Sequence, residues 1–147
     1  MAVRHRYDHP VFVDGLPLPQ ALVERAQQGR WMAPSDPERY VRVFGDRAIQ
    51  PVFLPLARIR LNASWIDQID YDEEVRQLYI GKPDKDSPPG DIDPHMSLLL
   101  GDLGPDQPFS LDFRRSLDSP SVIYLGSRPG WVEIAPSFDA LVDALGL

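Results

Sequence analysis

The sequence predicts a single α+β domain with helices at both ends of the chain. Its sheet is expected to be largely antiparallel, with a mixed arrangement as the alternative, and to contain about five or six strands. Three observations lead to this prediction: helix signals fill the first part of the chain, strand-like segments follow one another up to residue 135, and an amphipathic pattern closes the chain. The 147 residues have the size of one domain, 1–147.

The first helix is predicted between Pro19 and Gly29. Proline suits the first helical position, and glycine suits the left-handed residue that follows a helix. Apolar residues at positions 18, 22 and 26 recur every fourth residue, so this helix has one narrow apolar face. Trp31 follows the end of the helix and is expected to pack back on it.

Three short elements are predicted in the middle of the chain. A second helix begins close to Ser35 or Asp36, either of which can cap it. A strand is expected at Val52–Leu54, followed by a helical turn that carries Leu56 and Ile59. Residues 67–74 and 82–94 are predicted to be loops.

The second half of the chain is dominated by strand patterns. The predicted strands are QLYIG (77–81), HMSLLLG (95–101), PFSLDF (108–113), PSVIYLG (120–126) and GWVEIA (130–135). In the third of these, apolar residues alternate with Ser110 and Asp112, which is the period of a half-buried strand. The last two should form a hairpin, and GDLGPDQ is predicted to be a turn between adjacent strands.

A clear amphipathic helix closes the chain. Ser137 can cap it, and Asp139 favours its positive end. The apolar residues follow the spacing i, i+3, i+4, i+7 and are predicted to bury against the sheet: Phe138, Leu141, Val142 and Leu145.

Charge is unevenly distributed along the chain, whose formal net charge is −7. Residues 1–60 hold nine arginines and six acids, whereas residues 61–147 hold six bases and sixteen acids. Twelve acids and three bases lie between Asp67 and Asp112 alone. Such a segment repels phosphates, so a nucleic acid is not expected as a partner and a basic protein suits the chain better. Ordinary solubilising charge is the alternative interpretation.

The composition excludes several further classes. The chain contains no cysteine, which excludes disulfides, thiolate nucleophiles and thiolate-bound zinc. No apolar run approaches the roughly 20 residues of a membrane helix, and no signal-peptide core follows the first basic residues. We therefore expect a soluble cytoplasmic protein that does not interact with membranes.

The sequence contains only weak candidates for a metal site or a catalytic site. DIDPH offers Asp91, Asp93 and His95, but hard cations need about six or more oxygen ligands, so a solvated turn is favoured over a metal site. Paired acids of a hydrolase could be sought among Asp102, Asp106 and Asp112, but turn and strand roles are favoured for these aspartates. The other histidines, His5 and His9, suggest no Ser-His-Asp set. The sequence therefore predicts no catalytic residue, metal or cofactor.

Several segments together resemble one family. PGDIDPHMSLLLGDLGPDQPFSLDFR, PSVIYL and WVEIAPSFDALVDALGL are similar to the SUKH superfamily, which contains fungal cell-wall-synthesis regulators and many bacterial immunity proteins. Its members typically show an acidic P-G-D-x-D-P loop, a strand ending in G-D-x-G and a Trp-containing strand that runs into a closing helix. The resemblance covers about 40% of the chain, from Pro89 to Leu147. It implies an α+β domain that binds proteins, often a toxin neutralised by direct contact, without chemistry of its own.

Six residues are predicted to contact the partner. Four are loop acids and two are aromatic anchors: Asp84, Asp86, Asp91, Asp93, Tyr79 and Trp131. Trp131 would be exposed if Val132 and Ile134 point inward. The first hypothesis is an immunity-type domain that binds a basic toxin domain. The alternatives are a regulatory or scaffold domain for another cellular partner and a hydrolase that uses acidic residues. The chain is expected to be a monomer or a weak dimer.

Overall fold

The computed structural model describes residues 10–147, and His5 and His9 lie outside this range. The N-terminal part contains β1 Phe12–Val13, β2 Leu16–Pro17, α1 Gln20–Gln27 and α2 Pro37–Phe44. The central part contains β3 Val52–Phe53, α3 Leu56–Ile59, α4 Ala63–Tyr71, α5 Glu73–Tyr79 and β4 Pro89–Gly90. The C-terminal part contains a 3-10 turn at Pro94–Met96, β5 Ser97–Asp102, β6 Pro108–Asp112, β7 Ser121–Leu125, β8 Trp131–Ala135 and α6 Phe138–Leu145.

One antiparallel sheet organises the domain. Its six strands run in the order β3-β5-β6-β7-β8-β4, and β1 and β2 form a separate hairpin. The four central strands are consecutive along the chain, since each pairs with the next through a short connection. The edges are completed by β3 and β4, which come from earlier segments. The predicted α+β class, antiparallel sheet and closing helix are therefore confirmed.

The N-terminal helices form where their capping residues predict them. α1 starts one residue after Pro19, and Gly29 adopts a φ of 71° beyond its end. Asp36 caps α2 by accepting a hydrogen bond from the Glu38 amide at 3.0 Å. Trp31 reaches beyond α1 and packs on Phe53, with ring centroids 4.7 Å apart.

The two faces of the sheet differ in size. The large face is covered by α1, α2 and α6, and Phe44 of α2 contacts the rings of Phe109 and Tyr124 edge-on at 5.2 and 5.1 Å. Its strand residues are Leu98, Leu100, Phe109, Leu111, Val122, Tyr124 and Val132. In α6, Ser137 caps the first turn, and all four predicted apolar residues are buried. This face holds most of the hydrophobic core.

The small face is covered by α4 and α5. Trp65 and Ile69 of α4 pack there with Ile123 and Trp131 of the sheet and with Ile92 of the loop before β5. Helices thus lie on both sides of the sheet, and both sides of β6 are buried. The half-buried pattern predicted for β6 is wrong for this reason: all five of its residues are buried.

Two further predictions for the central part are wrong. Residues 67–74 are not a loop but the end of α4 and the start of α5, and residues 77–79 of QLYIG are the last turn of α5 rather than a strand. Val75 and Tyr79, four residues apart, both pack on the small face, which is a helical spacing. The tertiary contact with the sheet outweighs the strand preference of a short apolar run. Among residues 10–147, no helix has both the length and the apolar character needed to cross a membrane.

Candidate partner-binding surface

The helix pair α4–α5 joins the core along one side only. α4 buries Trp65, Ile66 and Ile69, which recur with helical spacing, whereas every side chain of α5 stays at least partly exposed. Residues 61–79 therefore present a long outward side to solvent. We call this side the acidic helix surface.

Apolar side chains project from the acidic helix surface. Tyr71 is 85% exposed, Leu61 is 61% exposed and Leu78 is 59% exposed. Single exposed apolar residues are ordinary, but these three share a surface with the exposed acids Asp67 and Glu74. A tyrosine among charged residues offers rigid contact area at low entropic cost. Sequence reasoning missed this surface because it predicted a loop here, although the spacing of Trp65, Ile66 and Ile69 is a helix signal.

Two acids of the helix pair hold the fold together. Asp72 caps α5 by accepting hydrogen bonds from the amides of Glu74 and Val75 at 3.1 and 3.3 Å. The Oδ2 atom of Asp70 lies 2.6 Å from Nε2 of His95, so α4 is tied to the 3-10 turn. The acids left to face solvent on this surface include Asp67, Glu73 and Glu74.

The four predicted loop acids do not act alike. Asp84 accepts hydrogen bonds from the amides of Asp86 and Ser87, at 2.9 and 3.3 Å, and so shapes the loop. Asp93 caps the 3-10 turn through the His95 amide at 3.0 Å. Of the four, Asp86 is the exposed one. Three of these acids therefore have structural roles. The third is Asp91, which forms an ion pair with an arginine.

Arg114 joins the acidic loop to the end of β6. Its Nη1 lies 2.9 Å from Oδ1 of Asp91, and its Nε lies 3.0 Å from Oδ1 of Asp112. Its Nη2 donates to the Asp91 carbonyl at 2.9 Å. Arg114 lies just outside the segment with twelve acids, and it neutralises part of that charge. Asp91 and Asp112 are therefore less available to a partner than the sequence suggests.

The two aromatic residues predicted as anchors have different environments. Trp131 is fully buried on the small face, and its Nε1 donates to the Tyr79 carbonyl at 2.6 Å. Trp131 cannot anchor a partner in the folded domain, because helices cover both faces of the sheet here. Trp131 is buried on the small face, and its neighbour Val132 is buried on the large face. Tyr79 is partly exposed, and its hydroxyl donates to Oδ1 of Asp106 at 2.6 Å. Burial, followed by the hydrogen bond to Asp106, raises the pKa of Tyr79 to about 12.

Two of the three aspartates considered for catalysis, Asp106 and Asp112, are engaged elsewhere. Asp106 adopts a φ of 61° in the turn and accepts from Tyr79, whereas Asp112 binds Arg114. Asp46, which is not one of these candidates, accepts hydrogen bonds from the Tyr124 hydroxyl at 2.7 Å and from the Ser127 amide at 3.0 Å. That arrangement ties the exit of α2 to the β7–β8 turn.

The DIDPH segment uses its three polar side chains separately. Asp91 binds Arg114, Asp93 caps the 3-10 turn and His95 contacts Asp70. Within residues 10–147, no three His, Asp or Glu side chains converge in a way that could hold a metal ion. These three contacts fix the conformation of the chain just before β5.

Motif residues of the SUKH resemblance also occupy structural positions. Gly90, in the P-G-D-x-D-P loop, has a φ of 79° and packs so closely on the Lys82 carbonyl that a side chain would clash. Gly101, in G-D-x-G, is equally close to the Val52 carbonyl of the edge strand. Glycine is required at both positions because two backbone segments pass too close for a side chain. These motif residues therefore give no information about a binding partner.

Comparison with known proteins finds no protein-family model, no curated protein and no solved structure that matches this chain. The SUKH resemblance therefore rests on the sequence motifs alone.

Proposed function

We propose that this chain is a protein-binding domain of the immunity type, which acts in the bacterial cytoplasm and neutralises a basic toxin domain by direct contact. The proposal combines the SUKH resemblance with one structural observation. That observation is the acidic helix surface, where Tyr71, Leu61 and Leu78 are exposed beside free carboxylates.

The surface has the two properties that fast and specific association requires. Exposed carboxylates steer a basic partner over about a Debye length, which is roughly 8 Å at physiological salt. The apolar side chains then supply contact area that desolvates on docking. A nuclease toxin carries a basic groove for its own polyanionic substrate, so it fits such a surface. Binding there would cover the groove.

Charge reversal tests the surface directly. Asp67, Glu73 and Glu74 are exposed acids of this surface that neither cap a helix nor pair with a cation among the described residues, so they can be changed to lysine together without unfolding the domain. We expect this variant to slow association with the product of an adjacent toxin gene at least several-fold, with dissociation nearly unchanged. Raising salt from about 50 to about 500 mM should have the same effect on the wild type. Surface plasmon resonance measures both rates.

A matched variant controls for net charge. Glu24, Asp118 and Asp143 are exposed acids of α1, of the β6–β7 connection and of α6, and all three lie outside the acidic helix surface. Their triple change to lysine should leave the association rate close to that of the wild type. Equal slowing by both triple variants would show that only net charge matters, and a partner that ignores both would exclude this surface.

The apolar part of the surface has its own test. Tyr71→Ala should accelerate dissociation of the complex about tenfold, because a central aromatic contact is lost. Its side chain is 85% exposed, so the stability of the free domain should change by less than about 0.5 kcal/mol. Unchanged dissociation would place the interface elsewhere on the domain.

A further inference from the structure

A cleft lies between α3–α4 and the outer end of β5. Its volume is about 410 Å³, and both apolar and polar side chains line it. The residues that matter here are Leu54, Leu61, Leu99, Trp65, Asp102 and Arg58. Leu61 belongs to the acidic helix surface, so the cleft opens beside the surface proposed to bind the partner.

Asp102 is the carboxylate inside this cleft. It ends β5, and the Gly104 amide donates to it. Burial raises the pKa of Asp102 above its ordinary value, and none of the cations that the structure describes offsets this effect. Asp91 and Asp112, in contrast, share Arg114. A partly buried carboxylate without a cation costs folding free energy, which is typical of residues retained for binding.

Trp65 supplies a second unsatisfied group. It is only 9% exposed, and its Nε1 has no acceptor among the described residues. The other two tryptophans are satisfied, because Nε1 of Trp31 donates to the Leu54 carbonyl at 2.9 Å and Nε1 of Trp131 to the Tyr79 carbonyl. Buried N–H groups without an acceptor are rare. The nitrogen itself is buried, so an occupant of the cleft meets the ring of Trp65 and not its N–H group.

We infer that this cleft receives a basic side chain of the partner protein, with its cation on Asp102 and its aliphatic stem against Leu61, Leu99 and the Trp65 ring. This inference rests on the proposed function and names the contact that holds the complex together. An arginine matches these features best, since its planar head stacks on aromatic rings and binds carboxylates in pairs of hydrogen bonds.

Arg58 also lines the cleft, so the sign of the occupant's charge can be tested. It repels a cation and would attract an anion. A cationic occupant therefore predicts opposite effects for Asp102→Asn and Arg58→Gln: the first weakens binding, and the second strengthens it. An anionic occupant predicts the reverse.

The first experiment uses a defined probe. We would titrate the full chain with the peptide acetyl-Ala-Arg-Ala-amide and follow the three indole N–H signals by NMR. The Trp65 signal should shift with a dissociation constant in the millimolar range, whereas the signals of Trp31 and Trp131 should stay in place. Acetyl-Ala-citrulline-Ala-amide has the same shape without charge, and it should bind about tenfold more weakly.

Variants then separate binding from folding. Asp102→Asn keeps an acceptor for the Gly104 amide and removes the buried charge, so the domain should fold at least as stably as the wild type. Its affinity for the arginine peptide should fall about tenfold. Asp143→Asn removes the same charge from an exposed position of α6, outside the cleft, and should leave the affinity within about twofold. Equal binding by wild type and Asp102→Asn, or tighter binding of the citrulline peptide, would overturn the inference.

The toxin complex distinguishes this inference from the proposed function. If Asp102→Asn accelerates dissociation about tenfold at an unchanged association rate, the cleft holds the anchor. If the complex forms and Asp102→Asn dissociates like the wild type, the cleft inference fails and the proposed function stands. If the adjacent gene product is not bound by the wild type while the peptide results hold, the proposed function fails and the cleft remains a site for basic side chains.

Discussion

The two faces of the central sheet differ in how much apolar surface they bury. On the large face, three helices bury continuous apolar side chains, and Phe44 packs between Phe109 and Tyr124. On the small face, the strands carry Ser110 and Asp112 among their apolar residues, and α5 contributes only partly buried side chains. The small face is the less apolar of the two.

The difference in buried apolar contacts indicates which side of the domain can bind a partner at the lower cost in folding free energy. Segments with few buried apolar contacts open at lower free energy than the core, and binding surfaces are drawn from such segments. The acidic helix surface and the cleft that holds Asp102 both lie on the side of the small face. The large face, which holds most of the hydrophobic core, offsets the free-energy cost of the exposed apolar side chains and of the partly buried Asp102.

The largest expected effect is a core deletion on the large face. Leu141→Ala in α6 should cost about 2–4 kcal/mol, because its side chain is fully buried. The matched change on the small face, Val75→Ala in α5, should cost less than about 1 kcal/mol, since Val75 is only partly buried. Urea unfolding measures both losses. A loss below about 0.5 kcal/mol for Leu141→Ala would mean that α6 is not docked.

The next effect concerns the sheet edge next to the small face. Asn62 is buried, donates to the Ser97 carbonyl at 3.1 Å and accepts from the Leu99 amide at 3.2 Å, so its side chain caps the outer edge of β5. Asn62→Ala leaves both backbone groups without partners and should cost about 1–3 kcal/mol. Ser64→Ala removes a polar side chain at an exposed position two residues away and should cost less than about 0.5 kcal/mol. Equal losses in urea unfolding would contradict the edge-capping role.

A smaller effect tests how α5 is held. Trp131→Phe removes the hydrogen bond to the Tyr79 carbonyl and part of the buried ring, and it should cost about 1–2 kcal/mol. In hydrogen exchange, the amides of α5 should accelerate more than those of β6, because α5 can open locally. Uniform acceleration of both elements would show that the two faces unfold as one unit.

The smallest effect appears at high pH. The pKa of Tyr79 is raised from 10.0 to about 12, so the fold favours the neutral phenol. Its contribution to stability is complete below pH 10.0 and is lost as the pH rises towards about 12. Tyr79→Phe should flatten this part of the pH profile. Identical pH profiles for the two proteins would show that the fold does not raise the pKa of Tyr79.

Local patterns predicted the strands β5 to β8 and α6 well, because each carries its own signal. The alternation of Phe109 and Leu111 and the cap at Ser137 are properties of neighbouring residues, so they can be read without knowing the fold. α4 and α5 were missed for the opposite reason. Their apolar residues form one short stripe each, and their acids suggested a loop. Only contact with the small face makes these segments helical.

The candidate site was harder to predict than the fold. Carboxylates with a structural role have the same composition signal as free ones, and only the three-dimensional structure separates Asp84 and Asp93, which hold backbone amides, from Asp86. Trp131 suggested an anchor because its strand alternates, but alternation does not reveal whether the second face is covered.

The sequence by itself determined the α+β class, the consecutive strands, the amphipathic closing helix and the acidic segment, since these depend on residues close together in the chain. The tertiary structure alone decided which side chains remain available. Arg114 neutralises Asp91 and Asp112 from a position outside the acidic segment, and Asn62 reaches 37 residues along the chain to cap Leu99. The physical reason is that burial and ion pairing depend on distances in space, and sequence spacing does not set these distances.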